Sequence, residues 1–191
     1  MRANPRRSDD DPPDVSYRFD KRLREVPNDP AGMARAVAEI EARLAAGVSD
    51  PGERMRALGT LGGYRRILGR LDEAEATLRE AVALARQTGN ERTLLANEIR
   101  LAHVLQWQER FAEADALFVA AVARCKASPE LTGLLSFALQ HAGKSLFDQG
   151  RDAEAAERFA HALSLREAEG DPDLIASSRL ALVAARARLT G

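Results

Sequence analysis

One pattern of small and bulky residues occurs three times in the sequence and constrains its fold more than any other feature. An alanine is followed by a bulky residue four positions later and by a second alanine seven positions later. Residues at these offsets share one face of an α-helix. The copies lie 40 and 41 residues apart, and a period of this size predicts a stack of helix pairs. The three copies are Ala74, Leu78 and Ala81; Ala114, Phe118 and Ala121; and Ala155, Phe159 and Ala162.

A second set of small residues precedes each copy and predicts how the helices pack. Leu61–Gly62, Leu101–Ala102 and Ala142–Gly143 occupy equivalent positions in the preceding helix. A small residue lets two helix backbones approach closely, and a bulky residue of the facing helix fills the space beside it. We name the first helix of each pair helix A and the second helix B. One pair cannot cover its own apolar face, so the pairs are expected to stack.

Glycine and proline residues mark the ends of the predicted helices and give the domain organisation. Turns such as those at Gly69 and Gly150 leave two to four residues between helices, which favours antiparallel neighbours. No segment alternates apolar and polar residues over the length of a strand, so we expect an all-α fold of about eight helices without β structure. The predicted units are a flexible N-terminal tail (1–29) and a helical repeat domain (30–191), which divides into an N-terminal helix (30–47), three repeats (53–89, 91–127 and 129–169) and a C-terminal capping helix (172–190).

The N-terminal segment differs from the rest of the chain in composition. Residues 1–30 hold five of the eight prolines and the acidic run Asp9–Asp11. Such a segment buries too little apolar surface to offset the entropy lost on ordering, so a solvated tail is the main expectation. Tyr17, Phe19, Leu23 and Val26 leave a second possibility open, in which this part docks as a short helical or extended segment in a groove of its own protein.

Charge and composition argue against several classes of function. The formal net charge is −1, whereas proteins that bind nucleic acid usually carry a basic excess. No apolar run approaches the roughly 20 residues of a membrane span, and no apolar signal-peptide region follows the first arginines. The single cysteine, Cys125, allows no internal disulfide and fits a reducing compartment. We therefore expect a cytoplasmic protein that binds neither nucleic acid nor membrane, and the abundance of alanine and arginine indicates a bacterial source.

The repeated positions resemble the tetratricopeptide repeat (TPR), whose helix A carries leucine–glycine and whose helix B carries alanine, an aromatic residue and alanine. The second repeat departs most, because Glu98 replaces a large apolar residue and Glu109 replaces the turn glycine. The period exceeds the usual ~34 residues, as in extended bacterial variants. The resemblance covers about residues 53–166 and implies a right-handed α-solenoid of antiparallel helix pairs. The residues that match the tetratricopeptide repeat pattern are Leu58, Leu61, Gly62, Gly69, Ala74, Leu78 and Ala81 in the first repeat, and Leu139, Ala142, Gly143, Leu146, Gly150, Ala155, Phe159 and Ala162 in the third.

The resemblance implies a concave face formed by the A helices, which we take as the candidate partner-binding groove. Its aromatic side chains would supply buried apolar contact, and its cations would orient a helix or an extended peptide. The alternative is that the aromatic side chains only seal the seams between helices. The candidate residues are Arg56, Arg66, Ile99, His103, Gln106, Trp107, Phe137, Gln140, Lys144, Phe147, Asp148, Ser178 and Arg188.

No combination of residues predicts catalysis, a metal site or a cofactor site. The histidines lack metal-binding spacing, although His141 and His161 lie on the two helices of one repeat and could touch. Segment 138–145 matches a loose phosphate-binding loop, but it lies within a predicted helix whose N–H groups are already bonded. Cys125 is expected to be a small apolar filler. Solvated charges are expected near the starts of the B helices, at Glu73, Glu75, Glu113, Asp115, Glu154 and Glu157.

These observations predict a non-enzymatic protein- or peptide-binding module, a scaffold or adaptor that holds a partner segment in the A-helix groove and needs no cofactor. Two alternatives stay open. One is a self-assembling structural subunit, a homodimer through its terminal helices, because Leu180 and Val183 give the last helix an apolar side. The other is a sensor of a small molecule or peptide in bacterial regulation.

Overall fold

The computed structural model describes residues 12–190, in which a short β-hairpin precedes a stack of eight α-helices. A 3₁₀ segment, Pro129–Leu134, leads into the sixth helix. The elements are β1 (Tyr17–Phe19), β2 (Glu25–Pro27), α1 (Pro30–Ala45), α2 (Pro51–Ile67), α3 (Leu71–Gln87), α4 (Glu91–Trp107), α5 (Phe111–Ala127), α6 (Leu135–Asp148), α7 (Asp152–Glu169) and α8 (Pro172–Thr190).

The seams between helices combine glycine and large side chains as the repeated pattern predicts. A Cβ placed on Gly62 of α2 would lie 2.5 Å from Cγ of Leu78 on α3. A Cβ placed on Gly143 of α6 would lie 2.6 Å from the ring of Phe159 on α7. Each helix packs on the next along the chain. The prediction of an all-α solenoid of helix pairs is therefore confirmed for the helical part of the chain.

The turn between α4 and α5 keeps the shape of the glycine turns although it contains no glycine. Glu109 adopts a φ of 61°, in the left-handed region where Gly69 and Gly150 have φ values of 77° and 73°. Its N–H donates to the Gln106 carbonyl at 2.9 Å, as the N–H of Gly69 does to the Arg66 carbonyl. The fold thus forces a non-glycine residue into a conformation that costs about 1 kcal/mol or more.

Two of the carboxylates expected to be solvated link neighbouring repeats instead. Glu75 on α3 accepts hydrogen bonds from Gln108 at 3.0 Å and from Arg110 at 2.8 Å. Asp115 on α5 accepts hydrogen bonds from Ser145 at 2.7 Å and from Gln149 at 2.9 Å. These side chains lie in grooves between consecutive helix pairs, where the next turn of the chain brings a donor to each.

The β-hairpin contradicts the expectation that the chain contains no β structure. Strands β1 and β2 pair antiparallel, with Tyr17 opposite Pro27 and Phe19 opposite Glu25. In the turn, the Asp20 carboxylate accepts hydrogen bonds from the N–H groups of residues 22 and 24 at 2.8 and 2.9 Å. Strands of three residues give no detectable alternation, and a hairpin of this size is marginal without packing against other elements.

The hairpin receives that packing from the helices, so residues 12–29 do not form the solvated tail that was the main expectation. Leu23 is 4% exposed and contacts the apolar cluster of α6, α7 and α8 that includes Phe147 and Leu182. Glu25 is 5% exposed. The acidic run Asp9–Asp11 lies outside the described residues. The extended docking that the apolar residues left open is the arrangement found.

Candidate functional site

The candidate site is the concave groove of helices α2, α4 and α6, and the hairpin lies in it. The Glu25 carboxylate accepts a hydrogen bond from Arg66 Nη1 on α2 and another from Lys144 Nζ on α6, both at 2.7 Å. His103 Nε2 on α4 lies 4.0 Å from the same carboxylate. Arg66, His103 and Lys144 are all buried. One extended segment is therefore held by side chains from three successive A helices.

Burial and charge act in opposite directions on the ionisable groups around Glu25. Burial alone would raise the Glu25 pKa, but Arg66 and Lys144 outweigh it and hold that pKa well below its usual 4.5. Burial lowers the Lys144 pKa despite the attraction of Glu25, because Lys144 shares this carboxylate with Arg66. Burial also lowers the pKa values of His103 and His141 well below 6.5. The groove thus binds a charged carboxylate beside neutral imidazoles.

A second carboxylate, Asp148, fixes the turn of the hairpin. Its side chain is 1% exposed and accepts hydrogen bonds from Arg22 Nε at 3.1 Å, from Arg24 Nη2 at 3.0 Å and from Gln106 Nε2 at 3.0 Å. Asp148 is the last residue of α6, where the helix dipole disfavours a negative charge. The two hairpin arginines supply the positive charge that this position lacks.

Aromatic rings of the groove and of the hairpin complete the contact. The Trp107 ring lies near two guanidinium groups, with Arg24 Cζ 5.2 Å and Arg66 Cζ 4.6 Å from its centroid. The Lys144 ammonium lies 4.5 Å from the centroid of Phe19. Cation–π contacts of this kind contribute about 0.5–2 kcal/mol each, more where water is excluded. The Arg24–Trp107 and Lys144–Phe19 contacts join the hairpin to the groove, whereas the Arg66–Trp107 contact links α2 to α4 within the groove.

The structure brings only some of the thirteen predicted groove residues together. Arg66, His103, Trp107, Lys144 and Asp148 surround the hairpin, and Gln106 contacts it through Asp148. Phe137 and Gln140 line the space beside the hairpin, where Phe137 packs on His141 and Gln140 bonds Ser178. The other candidates have different surroundings: Arg56 is exposed; Ile99 and Phe147 are core residues; and Arg188 lies over the Phe147 ring.

Packing decides two open questions about individual side chains. His141 does not face His161, which is exposed, but packs on His103 with ring centroids 4.2 Å apart, because neighbouring A helices face each other across the groove. Phe147 is 1% exposed, so it cannot serve as a partner anchor whose removal leaves the fold intact.

Sequence reasoning also missed four residues that make the site. Arg22, Arg24 and Glu25 come from the segment expected to be a tail, and Arg166 lies in the last turn of α7. The partners of their side chains are 8 to 126 residues away in sequence. The one available signal was the group of apolar residues at 17, 19, 23 and 26, which indicated that the segment could dock.

The possible catalytic features have structural roles. Lys144, within the loop-like segment 138–145, lies mid-helix in α6 and pairs with Glu25, so no phosphate-binding loop is formed. Cys125 is buried, and burial raises its thiol pKa, which suits an apolar filler. Within residues 12–190, no three His, Cys, Asp or Glu side chains are grouped as metal ligands.

Comparison with known proteins identifies the type of repeat. Residues 92–168 match the sequence profile of the tetratricopeptide repeat family. Similar solved structures include the nearly identical TPR-like repeats of a protein described as a putative kinesin light chain of Podosopora anserina, at 19% identity over 83% of this chain and 80% of that chain, with a TM-score of 0.57. They also include BtubC (BKLC) from P. vanneervenii, at 17% identity over 84% of this chain and 67% of that chain, with a TM-score of 0.65.

These similarities support the fold rather than a shared partner. No curated protein matches the chain in sequence. Identities below one in five show a common TPR architecture alone. Among the helices of residues 12–190, none is both long and apolar enough to cross a membrane.

Proposed function

We propose that this chain, whose residues 92–168 match the tetratricopeptide repeat family, is a non-catalytic protein-binding module. Its partner supplies an extended segment that lies in the concave groove. The docked hairpin is the observation that carries the proposal. It shows an extended segment in the groove, where Arg66 and Lys144 bind the carboxylate of its Glu25. A cytoplasmic setting remains our expectation, since the lone cysteine forms no disulfide.

The contacts of three consecutive hairpin residues define the chemistry of such a partner. Leu23 enters an apolar pocket, Arg24 reaches Asp148 and the Trp107 ring, and Glu25 reaches the two cations. A partner segment with an apolar, a basic and an acidic residue in succession would satisfy the same sites. Such a segment competes with the hairpin, which has a high effective concentration because it belongs to the same chain.

The test uses a full-length variant whose own hairpin is released. Leu23→Asp with Glu25→Lys places a charge in the apolar pocket and a third cation beside Arg66 and Lys144. A synthetic peptide of residues 12–29 is then titrated, with the fluorescence of the single tryptophan, Trp107, as the readout. We expect saturable binding to the variant and much weaker binding to the natural chain, whose groove is filled.

The matched control is the same peptide with Glu25→Gln, which keeps its size and loses its charge. Weaker binding of this peptide, by about tenfold or more, is expected because the Gln side chain leaves two buried cations without a counter-charge. Rapid trypsin cleavage of the variant at Lys21 and Arg22 would show that its own hairpin is released. If the natural peptide then fails to bind, the groove is ruled out as a peptide-binding surface.

Self-association through α8 is a second candidate function, and a separate observation favours it. Leu180 and Val183 of this helix are 48% and 61% exposed. They lie one turn apart on the side of α8 opposite the buried Ala181 and Ala185. A concentration-dependent dimer in light scattering that disappears in Leu180→Glu would support self-association, and a monomer at all concentrations would exclude it.

A further inference from the structure

A cavity of about 420 Å³ lies beside the hairpin, between β1 and helices α6, α7 and α8. Phe19, Phe137 and Leu174 form much of its apolar wall, and Asp173 lies at its exposed rim. Gln140, His141, Lys144 and Arg166 form its polar wall. The size and the mixture of surfaces are those of a small-molecule site.

Arg166 presents an unused hydrogen-bonding edge at this cavity. The residue is 3% exposed, and its Nη1 donates to the Leu174 carbonyl at 3.1 Å and to Ser178 Oγ at 2.8 Å. The other edge of the guanidinium, Nε and Nη2, has no hydrogen-bond partner among residues 12–190. This edge is the one that binds a carboxylate through two parallel hydrogen bonds.

The charge of Arg166 also lacks a bonded counter-charge within the described chain. Burial lowers its pKa, while Glu169 and Asp171 act on it only from a distance. A buried charge is costly unless it is paired. Glu25, the nearest buried carboxylate of the cavity wall, is already shared by Arg66 and Lys144.

Gln140 presents a second unused donor. Ser178 Oγ accepts a hydrogen bond from Arg166 Nη1 at 2.8 Å and donates one to Gln140 Oε1 at 2.7 Å. The Gln140 amide nitrogen therefore points away from Ser178, and it has no partner within residues 12–190. Nδ1 of the neighbouring His141 is likewise unpartnered in the described part of the chain.

We propose that this cavity binds a small monocarboxylate with an apolar body. The carboxylate accepts hydrogen bonds from Nε and Nη2 of Arg166 and from the Gln140 amide, and the apolar body packs against Phe19, Phe137 and Leu174. One negative charge matches the one unpaired guanidinium. Inorganic phosphate fits less well, because it carries more than one negative charge at pH 7 and offers nothing to the apolar wall.

This inference does not rest on the proposed function, but the two sites communicate. The hairpin supplies Tyr17, Phe19 and Glu25 to the cavity wall, so the ligand is bound only while the hairpin is docked. By linkage, the ligand strengthens hairpin docking by the same factor as docking strengthens ligand binding. A partner that displaces the hairpin would expel the ligand.

The experiment titrates the full chain at pH 7 with phenylacetate, with the neutral isostere phenylacetamide and with inorganic phosphate, using calorimetry and the melting temperature as readouts. We expect phenylacetate to bind and to raise the melting temperature, and the other two to do neither. A series of monocarboxylates from acetate to hexanoate then gives the preferred size of the apolar body.

Two variants test the assigned donors. Arg166→Gln is expected to weaken phenylacetate binding about tenfold or more, whereas the matched control Arg179→Gln, on the exposed side of α8, leaves binding unchanged. Gln140→Glu supplies a carboxylate from the protein itself, so it is expected to abolish binding and to raise the melting temperature of the ligand-free chain. That second variant keeps the test decisive if Arg166→Gln fails to fold.

Three results with the natural chain would overturn the proposal. They are equal binding of phenylacetate and phenylacetamide, binding of phosphate without any monocarboxylate, and absence of binding by the whole monocarboxylate series at millimolar concentration. A Gln140→Glu variant that binds phenylacetate as well as the natural chain does would also overturn it.

Discussion

The helix seams and the interface between hairpin and groove are both buried, but they have different chemistry. In the seams, glycine faces a large apolar side chain, as at Gly62 with Leu78 and at Gly143 with Phe159. In the groove, the contacts with the hairpin centre on Glu25, which is paired with two buried cations. The same helices therefore present apolar surfaces to one another and a polar surface to the segment in the groove.

This difference separates what holds the solenoid together from what selects the segment in its groove. Apolar burial stabilises in proportion to area, by about 25 cal/mol per Å². A buried ion pair mostly offsets the cost of removing its own charges from water, but it becomes strongly unfavourable when one partner is missing. The seams thus supply stability, and the groove supplies selectivity for a correctly placed carboxylate.

Phe159→Ala should produce the largest loss of stability, because it empties a seam. Phe159 is fully buried against Gly143, and truncation of a buried phenylalanine costs about 3–5 kcal/mol. Urea unfolding followed by circular dichroism measures the loss. Val119→Ala, at a residue that is 67% exposed, is the control and should change the free energy of unfolding by less than about 0.5 kcal/mol. Equal midpoints for the two variants would show that this seam does not carry the stability.

Glu25→Gln should have a smaller and local effect, because the hairpin can undock while the helices stay folded. Loss of one partner from a buried ion pair costs about 3–5 kcal/mol, and this cost is limited here to the free energy of docking. Hydrogen exchange should accelerate at the amides of Asp20 and Asn28, which bond within the hairpin, while the amides of the α6–α7 pair keep their protection.

Glu80→Gln is the matched control for this substitution. Glu80 pairs with Arg54 on the surface, where its side chain is 51% exposed, so the same chemical change should leave hairpin exchange unaltered. Uniform acceleration over all helices in Glu25→Gln would contradict the separation of seam and groove.

The seams could be predicted from the sequence, because their determinants repeat at a fixed period and act between helices that are adjacent in the chain. Ala74, Ala114 and Ala155 are all fully buried, in equivalent surroundings. Even the turn that lacks a glycine could be located from the sequence, because Glu109 stands at the position of the turn glycine in the other repeats. Local periodicity and short turns together determine this part of the fold.

The hairpin and its interface could not be predicted, because nothing periodic or local specifies them. Glu25 lies 41 residues from Arg66 and 119 residues from Lys144 in the sequence. Arg66 and Lys144 were expected to bind a charged group of a partner. They do bind a carboxylate, but it belongs to the hairpin of the same chain, which the sequence did not indicate. Ile99 and Phe147 were misplaced for a related reason, since apolar residues of an A helix fit the core and the groove equally well by pattern.

Acidification should loosen the hairpin before it affects the seams. The His103 and His141 pKa values are lowered by burial, so the unfolded or undocked chain binds more protons, and stability is lost as the pH falls below about 6.5. The Glu25 pKa lies well below 4.5 because its cations outweigh burial, so its contribution is complete above about 4.5 and is lost as the pH falls further.

Hairpin exchange measured between pH 7 and pH 3, and corrected for intrinsic rates, tests this order. Two phases of loosening are expected in the natural chain, and Glu25→Gln should lack the lower one. Docking that stays constant down to pH 3 would contradict the assignment of a charged Glu25 to the interface.

Glu109→Gly should have the smallest effect and is the only one of these changes expected to stabilise the chain. Glu109 holds a φ of 61°, which an L-residue adopts at a cost of about 1 kcal/mol or more and glycine adopts freely. The ion pair with Arg22 that is lost is exposed, at 3.5 Å, and contributes little.

Gly150→Ala, at a φ of 73° in the equivalent turn, is the opposite change and should destabilise the chain by a similar amount. The added Cβ meets no atom within 4 Å, so only the backbone angle is penalised. The melting temperature should therefore rise in Glu109→Gly and fall in Gly150→Ala. A fall in both variants would show that the side-chain contacts of Glu109 stabilise its turn more than its backbone angle destabilises it.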